Sequence, residues 1–294
     1  MTGAQVATRP PPPPRGAFTI VDGRRLHVVR AGPKETPGPL VVLEAGSFGF
    51  SADWAVVQEK LAALGVRSLA YDRAGMGLSD PGPAPRDSLA IVSDLEKLLA
   101  AEGETGPIVL AGHSMAGLHI HLFAGRNPGR IAGLVLVDAV TPQVAADPAV
   151  RRGAAQYVNL AKLVAHANAT APMQLLSPFG DMIGLTADAI PHKRWAFGDA
   201  GHRRASADEI LQWDQAVAQA TEAGPLDPNW PVVVITAGPT PMYLKPRVVQ
   251  ADPAYRARRG YVENVRKANH ASLIGRRYAE AVVKAIDFVR KAAS

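Results

Sequence analysis

A serine hydroxyl becomes a useful nucleophile only where the chain lifts it clear of its neighbours and offers it a base. Ser114 stands in Gly112-His113-Ser114-Met115-Ala116-Gly117, directly after the apolar run Pro107-Ile108-Val109-Leu110-Ala111. The segment from Met115 to Gly125 that follows reads as helix. A strand that turns sharply into a helix at Gly-x-Ser-x-small holds its serine in a strained backbone conformation, so the residues two before and two after must be small. Gly112 and Ala116 meet that demand. The same turn aims the Met115 N–H at the point where negative charge develops when an acyl group is attacked. The plainer alternative is that Ser114 merely caps the next helix.

Three further segments bear on the choice. They are Leu69-Ala-Tyr-Asp-Arg-Ala-Gly-Met-Gly-Leu-Ser-Asp80, Val41-Val-Leu-Glu-Ala-Gly46-Ser-Phe-Gly49 followed by Trp54, and Asn269-His270-Ala271 ahead of a final amphipathic helix. Together and in this order they resemble the α/β-hydrolase superfamily, in particular its single-domain esterase-like members with a helical cap, over about residues 17–292. The resemblance implies a mostly parallel eight-stranded sheet flanked by helices, with the cap inserted after the sixth strand. It implies that His270 is the base. The acid departs from the commonest pattern, which places an Asp shortly after the strand read here as Val232–Thr236. This chain continues Ala237-Gly238-Pro239-Thr240-Pro241-Met242 instead. Some hydrolases of the fold take the acid from the end of the preceding strand, here Asp138, and the order Ser114, Asp138, His270 is kept. Asp252 is the reserve candidate; Asp214 and Asp227 require the cap to fold back.

Where the resembling proteins often show His-Gly, this chain has Ala45-Gly46, so the second donor to an oxyanion is the backbone N–H of Ser47, beside that of Met115. Asp72 and Arg73 suggest an ion pair, which the resemblance makes a structural brace for their loop. His113 is expected to point away from the serine. His119 and His121 are expected to pack or face solvent. A serine at the elbow disfavours the branches that use an aspartate there and supports acyl transfer to water, with carboxylic-ester hydrolysis as the leading reading. C–C bond, lactone or amide hydrolysis on the same triad, and a non-catalytic small-molecule binding protein, are the alternatives.

These groups need a scaffold. Phe18–Val21 and Arg25–Val29 read as a hairpin across Asp22-Gly23, and Leu40–Glu44, Ser68–Tyr71, Gly133–Asp138, Val232–Thr236 and Tyr261–Val265 read as further strands. Trp54, Val57, Leu61 and Leu64 recur at helical spacing ahead of Gly65, a natural helix stop. Asp87 or Ser88 caps a helix whose apolar face is Ile91, Leu95, Leu98 and Leu99. The closing helix buries Tyr278, Val282, Ile286 and Val289. The stretch from Ala139 to Pro231 is too long to be a loop. The expected organisation is therefore a core of residues 17–138 and 231–294 and a helical cap of residues 139–230. Met173, Leu175, Leu176, Phe179, Met182, Ile183, Trp195 and Phe197 of the cap are expected to line the acyl pocket or pack on the core.

Composition narrows the class. The chain has 294 residues, 47% of them hydrophobic and 20% charged, and no cysteine. Disulfides, thiolate metal sites and a cysteine nucleophile are thereby excluded. No apolar run approaches the length of a membrane span. Residues 1–16, with prolines from Pro10 to Pro14, read as a disordered tail without the apolar stretch of a signal peptide. Cytoplasmic residence is the expectation. The net charge is +6, and residues 245–291 hold twelve Lys or Arg against four Asp or Glu. Few aromatic residues interleave with that charge, so solubility explains it better than nucleic-acid binding. No cofactor and no metal are called for; the expected partner is a small acyl substrate, and the oligomeric state is open.

Overall fold

The computed structural model describes residues 10–166, 183–238 and 247–293. Its centre is one sheet of eight strands: β1 (Ala17–Val21), β2 (Arg24–Ala31), β3 (Leu40–Glu44), β4 (Ser68–Tyr71), β5 (Ile108–His113), β6 (Ile131–Val137), β7 (Val232–Ala237) and β8 (Gly260–Val265), in the order β1-β2-β4-β3-β5-β6-β7-β8. β1 pairs antiparallel with β2, and β2 with β4; every later pairing is parallel. Asp22 and Gly23, both at positive φ, form the two-residue turn of the opening hairpin.

The parallel strands are apolar throughout because both faces are covered. Val41, Leu43, Val109, Ala111, Val135, Val137, Val233 and Ile235 join one core layer with α1 (Ala55–Ala63) and the closing helix (Ala279–Ala292). Their neighbours Leu40, Val42, Ile108, Leu110, Leu134, Leu136, Val232 and Val234 join a second layer with α2 (Ser88–Ala101) and α3 (Ala116–Arg126). Successive strand residues thus feed opposite layers, as the pleat requires. Asp87 caps α2, its carboxylate accepting the Ala90 N–H at 2.9 Å. Gly65 follows α1 at φ +70°, as expected, but Leu64 is the residue at the helix end and lies exposed rather than on the buried face.

β3 and β5 are neighbours, yet the helices after them lie on opposite faces of the sheet. The C-terminal ends of these two strands therefore open a crevice, the usual ligand position in such sheets. Among the described residues, the chain between β6 and β7 forms α4 (Pro142–Ala146), α5 (Pro148–His166), α6 (Ala189–Gly198), α7 (Ala200–Leu211) and α8 (Trp213–Glu222). α9 (Arg247–Arg256) precedes β8, and the closing helix is α10. Met115 packs with Val144, Val150, Ala154 and Trp213, and Phe48 packs on Ala161, Ala207 and Ile210, so the inserted helices sit over the loops that leave β5 and β3. Met173, Leu175, Leu176, Phe179 and Met182 lie outside the described residues, as do residues 239–242. Among the others, Ile183 is buried in the core beside Trp195, and the Phe197 ring lies 5.0 Å from the Lys193 ammonium. Residues 1–9 are also outside the description, while Arg15 pairs with Asp188 at 2.7 Å, which ties the chain down two residues before β1.

Candidate active site

Ser114 follows the last residue of β5 with φ at +60°, the left-handed region that costs a side-chain-bearing residue about 1–2 kcal/mol. Its N–H is bonded to Val137 O at 3.2 Å, and its carbonyl accepts from Val140 N–H at 2.9 Å and Gly117 N–H at 3.1 Å. Small neighbours are obligatory here. A Cβ on Gly112 would meet Ile120 at 2.8 Å, and one on Gly117 would stand 2.3 Å from Val140 O. A Cβ on Gly46 would stand 2.8 Å from the Cβ of Ser114, so the loop after β3 is stacked directly against the serine.

Asp138 terminates β6, also at positive φ (44°), with its N–H held by Ile235 O at 2.7 Å. This turns the carboxylate out of the sheet toward the loop after β8. There His270 Nδ1 donates to Asp138 Oδ2 at 2.7 Å. The carboxylate side chain is 5% exposed and the imidazole 36%. Burial alone would push the Asp138 carboxyl up, but hydrogen bonding and charge from His270, with His113 and the Ala237 N–H, hold it below its ordinary value. With Nδ1 carrying the proton to the carboxylate, His270 keeps Nε2 free as a base. The reserve acid Asp252 is placed elsewhere: it pairs with Arg256 on the surface of α9 at 2.6 Å. Asp227 bonds Asn229.

His113 packs on His270. Its ring lies 4.5 Å from that of His270, and its Nε2 is 2.9 Å from His270 O. The cause is the pleat: His113 alternates with Val109 and Ala111 on the face covered by α10, and the chain reaches α10 through His270. Burial, then the neighbouring His270, pushes the His113 imidazole down to about 3, so the ring is neutral at pH 7 and donates from Nε2. His119 and His121 are both buried, bonded to Ser88 Oγ at 2.8 Å and Gly224 O at 2.7 Å.

Ser47 and Met115 face one another across the crevice, the Ser47 hydroxyl lying 3.3 Å from the Met115 sulfur. Among the described residues neither backbone N–H has an acceptor. Asp72 and Arg73 are not partners. Asp72 bonds His27 at 2.9 Å and the N–H groups of Ser51 and Leu78. Arg73, wholly buried, pairs with Glu44 at 2.6 Å and with Glu209 of α7 at 2.8 Å. It also donates to Ala45 O, and to Gly46 O at 3.0 Å. Gly46 O and Ser47 N–H belong to one trans peptide, so holding the carbonyl fixes the direction of the N–H. A second tie comes from α6: Lys193 Nζ bonds Asp53 at 2.8 Å and Phe48 O at 2.9 Å. Lys193, Glu209 and Gln250, which bonds Asp138, carry no motif and no local spacing by which the sequence alone could have marked them. Among the described residues, no group of His, Asp and Glu could hold a metal ion, and no helix is long and apolar enough to cross a membrane.

Comparison with known proteins bears on the fold. The profile of the alpha/beta hydrolase fold family matches residues 39–179. A thermophilic esterase from Thermogutta terrifontis superposes with a TM-score of 0.71 at 22% identity, over 95% of this chain and 98% of that one. Cfl2 from Burkholderia cenocepacia gives 0.73 at 24% identity, over 93% and 95%. By sequence, a non-heme chloroperoxidase of Streptomyces lividans is 32% identical over 128 residues, 43% of this chain and 45% of that protein. An AB hydrolase superfamily protein of Gibberella zeae is 30% identical over 116 residues, 38% of this chain and 36% of that protein. The chain spans less than half the length of these curated relatives. The chain has the alpha/beta hydrolase fold.

Proposed function

We propose that this protein is a serine hydrolase that cleaves carboxylic esters through an acyl-enzyme, with Ser114 as nucleophile, His270 as base and Asp138 as the acid that orients it. The observation that carries this reading is the 2.7 Å bond from His270 Nδ1 to Asp138, formed beside a serine held at φ +60°. Ser114 Oγ attacks the acyl carbonyl while His270 Nε2 takes its proton, and Asp138 stabilises the imidazolium. The carbonyl oxygen, now an anion, receives the N–H groups of Ser47 and Met115. His270 returns the proton to the leaving alcohol; water then repeats the sequence and frees Ser114. The acid comes from the end of β6, not from beyond β7. The serine elbow supports acyl transfer in general, and the likeness to a structure described as an esterase favours carboxylic esters among the acyl substrates. The inserted helices act in this reading as a cap that supplies the walls of the acyl pocket.

Labelling with a fluorophosphonate probe, with the modified peptide mapped by mass, tests the proposal. Rapid labelling at Ser114 is expected, absent in Ser114→Ala and slowed by orders of magnitude in His270→Ala and Asp138→Asn. A panel of esters and lactones then ranks acyl groups by kcat/KM. A wild-type protein that leaves Ser114 unlabelled and every ester intact sinks it.

A further inference from the structure

The triad acid has a second anchor that belongs to neither the serine nor the histidine. Asp138 Oδ2 is taken by His270, while Oδ1 receives Gln250 Nε2 at 3.2 Å and the Ala237 N–H at 3.4 Å. The same Gln250 amide nitrogen lies 3.4 Å from Ala139 O. Gln250 is 3% exposed, and its Oε1 is buried with no hydrogen-bond partner among the described residues. An amide that uses its donor end on the acid and leaves its acceptor end unbonded is placed for its donors. A carboxylate can only accept, and the backbone reaches Oδ1 with one long bond. Gln250 closes the gap from α9, the helix between β7 and β8, and so supports an acid that stands at the end of β6 instead of after β7.

We propose that Gln250 is a positioning residue for the hydrolytic triad, holding Asp138 by Oδ1 so that Oδ2 stays aimed at His270. This inference rests on the serine-hydrolase reading above. Donation to Oδ1 spreads the carboxylate charge and restrains its rotation about the side-chain bond. Without it the carboxylate loses a donor, the Asp138 carboxyl moves up toward its ordinary value, and a higher pH is needed to keep it ionised. The titratable groups that act on Asp138 are His270 and His113; on α9, Asp252 and Arg256 pair with one another at its surface.

The test is the pH dependence of fluorophosphonate labelling at Ser114 in wild type and Gln250→Met, a change that keeps length and volume and removes the donors. A bond to a charged group is lost, so the limiting rate is expected to fall about tenfold, and the midpoint pH to rise. In an Asp138→Asn background the same substitution should change the rate less than about twofold, because the carboxylate it acts on is gone. Should Gln250→Met fail to fold, Gln250→Asn, too short to reach Oδ1, is expected to give the same loss and shift. A wild-type rate and midpoint in these variants overturns the inference, as does an equal loss in both backgrounds, while labelling of wild type at Ser114 leaves the hydrolase reading standing. If Ser114 of the wild type does not label, that reading fails and Gln250 falls with it.

Discussion

The ring of His113 lies against the ring of His270 at 4.5 Å, and its Nε2 stands 2.9 Å from the His270 carbonyl. The residue before Ser114 thus holds both the face and the backbone of His270. A neutral imidazole can do this with one N–H, and burial keeps His113 neutral. His113→Phe retains a flat ring and loses the donor. One hydrogen bond of about 1–1.5 kcal/mol is removed, so kcat/KM for an ester is expected to fall about five- to tenfold with KM little changed. An unchanged kcat would mean that the stack alone positions His270.

Arg73 is the second structural dependency. Its guanidinium is buried between Glu44 and Glu209 while it holds the Ala45 and Gly46 carbonyls. Arg73→Met leaves two buried carboxylates without their counter-charge. The expected loss is about 3–5 kcal/mol, read as a shift of the urea midpoint at constant slope. Arg73→Lys keeps the charge but not the fork that serves two carboxylates and two carbonyls at once. It is expected to recover part of the stability and little of the turnover, since the Ser47 N–H then loses its orientation. Full activity in Arg73→Lys would show that the loop is held by packing alone.

Much of this architecture is written locally in the chain. Leu40–Glu44 and Ser68–Tyr71 read directly as strands because every residue in them is buried, so the apolar run itself is the signal. Ser114 was legible for a related reason, since the small residues around it answer to contacts within the same strand, turn and helix. Asp138 and His270 could be placed only by order along the chain, and the bond between them spans 132 positions. Arg73 and Glu209 are 136 positions apart, and Asp53 and Lys193 are 140 apart. No periodicity encodes such pairs. The last two exist because the inserted helices fold back over the loops after β3 and β4. The contact of His113 with His270 is hidden for the same reason: the turn at Ser114 says nothing about what the other face of β5 meets.

Two glycines separate chemistry from stability. A methyl group on Gly46 meets the Cβ of Ser114 at 2.8 Å and the His113 carbonyl at 3.0 Å, so the loop after β3 must shift away from Ser114. Gly46→Ala is therefore expected to lower kcat/KM about 10²-fold, as loss of one oxyanion donor does, with a melting temperature close to wild type. On Gly117 the obstacle is backbone, Val140 O at 2.3 Å, inside the packed turn. Gly117→Ala is expected to destabilise by about 1–3 kcal/mol. Equal effects on both properties in both variants would mean that the loop after β3 and the elbow are one rigid unit.

Acid should unfold this protein through its buried histidines. Burial, then the Lys193 ammonium, holds His202 down to about 3, and His113 stands at the same value; burial also lowers His119 and His121. The unfolded chain takes up protons on these groups near pH 6.5, whereas the folded chain takes them up only at much lower pH. Their contribution is therefore complete above about pH 6.5 and is lost as pH falls toward 3. Melting temperature is expected to be level from pH 8 to 7 and to drop steadily below about 6.5. His202→Gln removes one of these groups and can still accept the Gly77 N–H that His202 Nδ1 receives at 2.9 Å. It should be less stable than wild type at pH 7 and lose less on going to pH 4.5, measured by thermal melts in matched ionic strength. Parallel curves for the two proteins would show that His202 already titrates normally in the folded state.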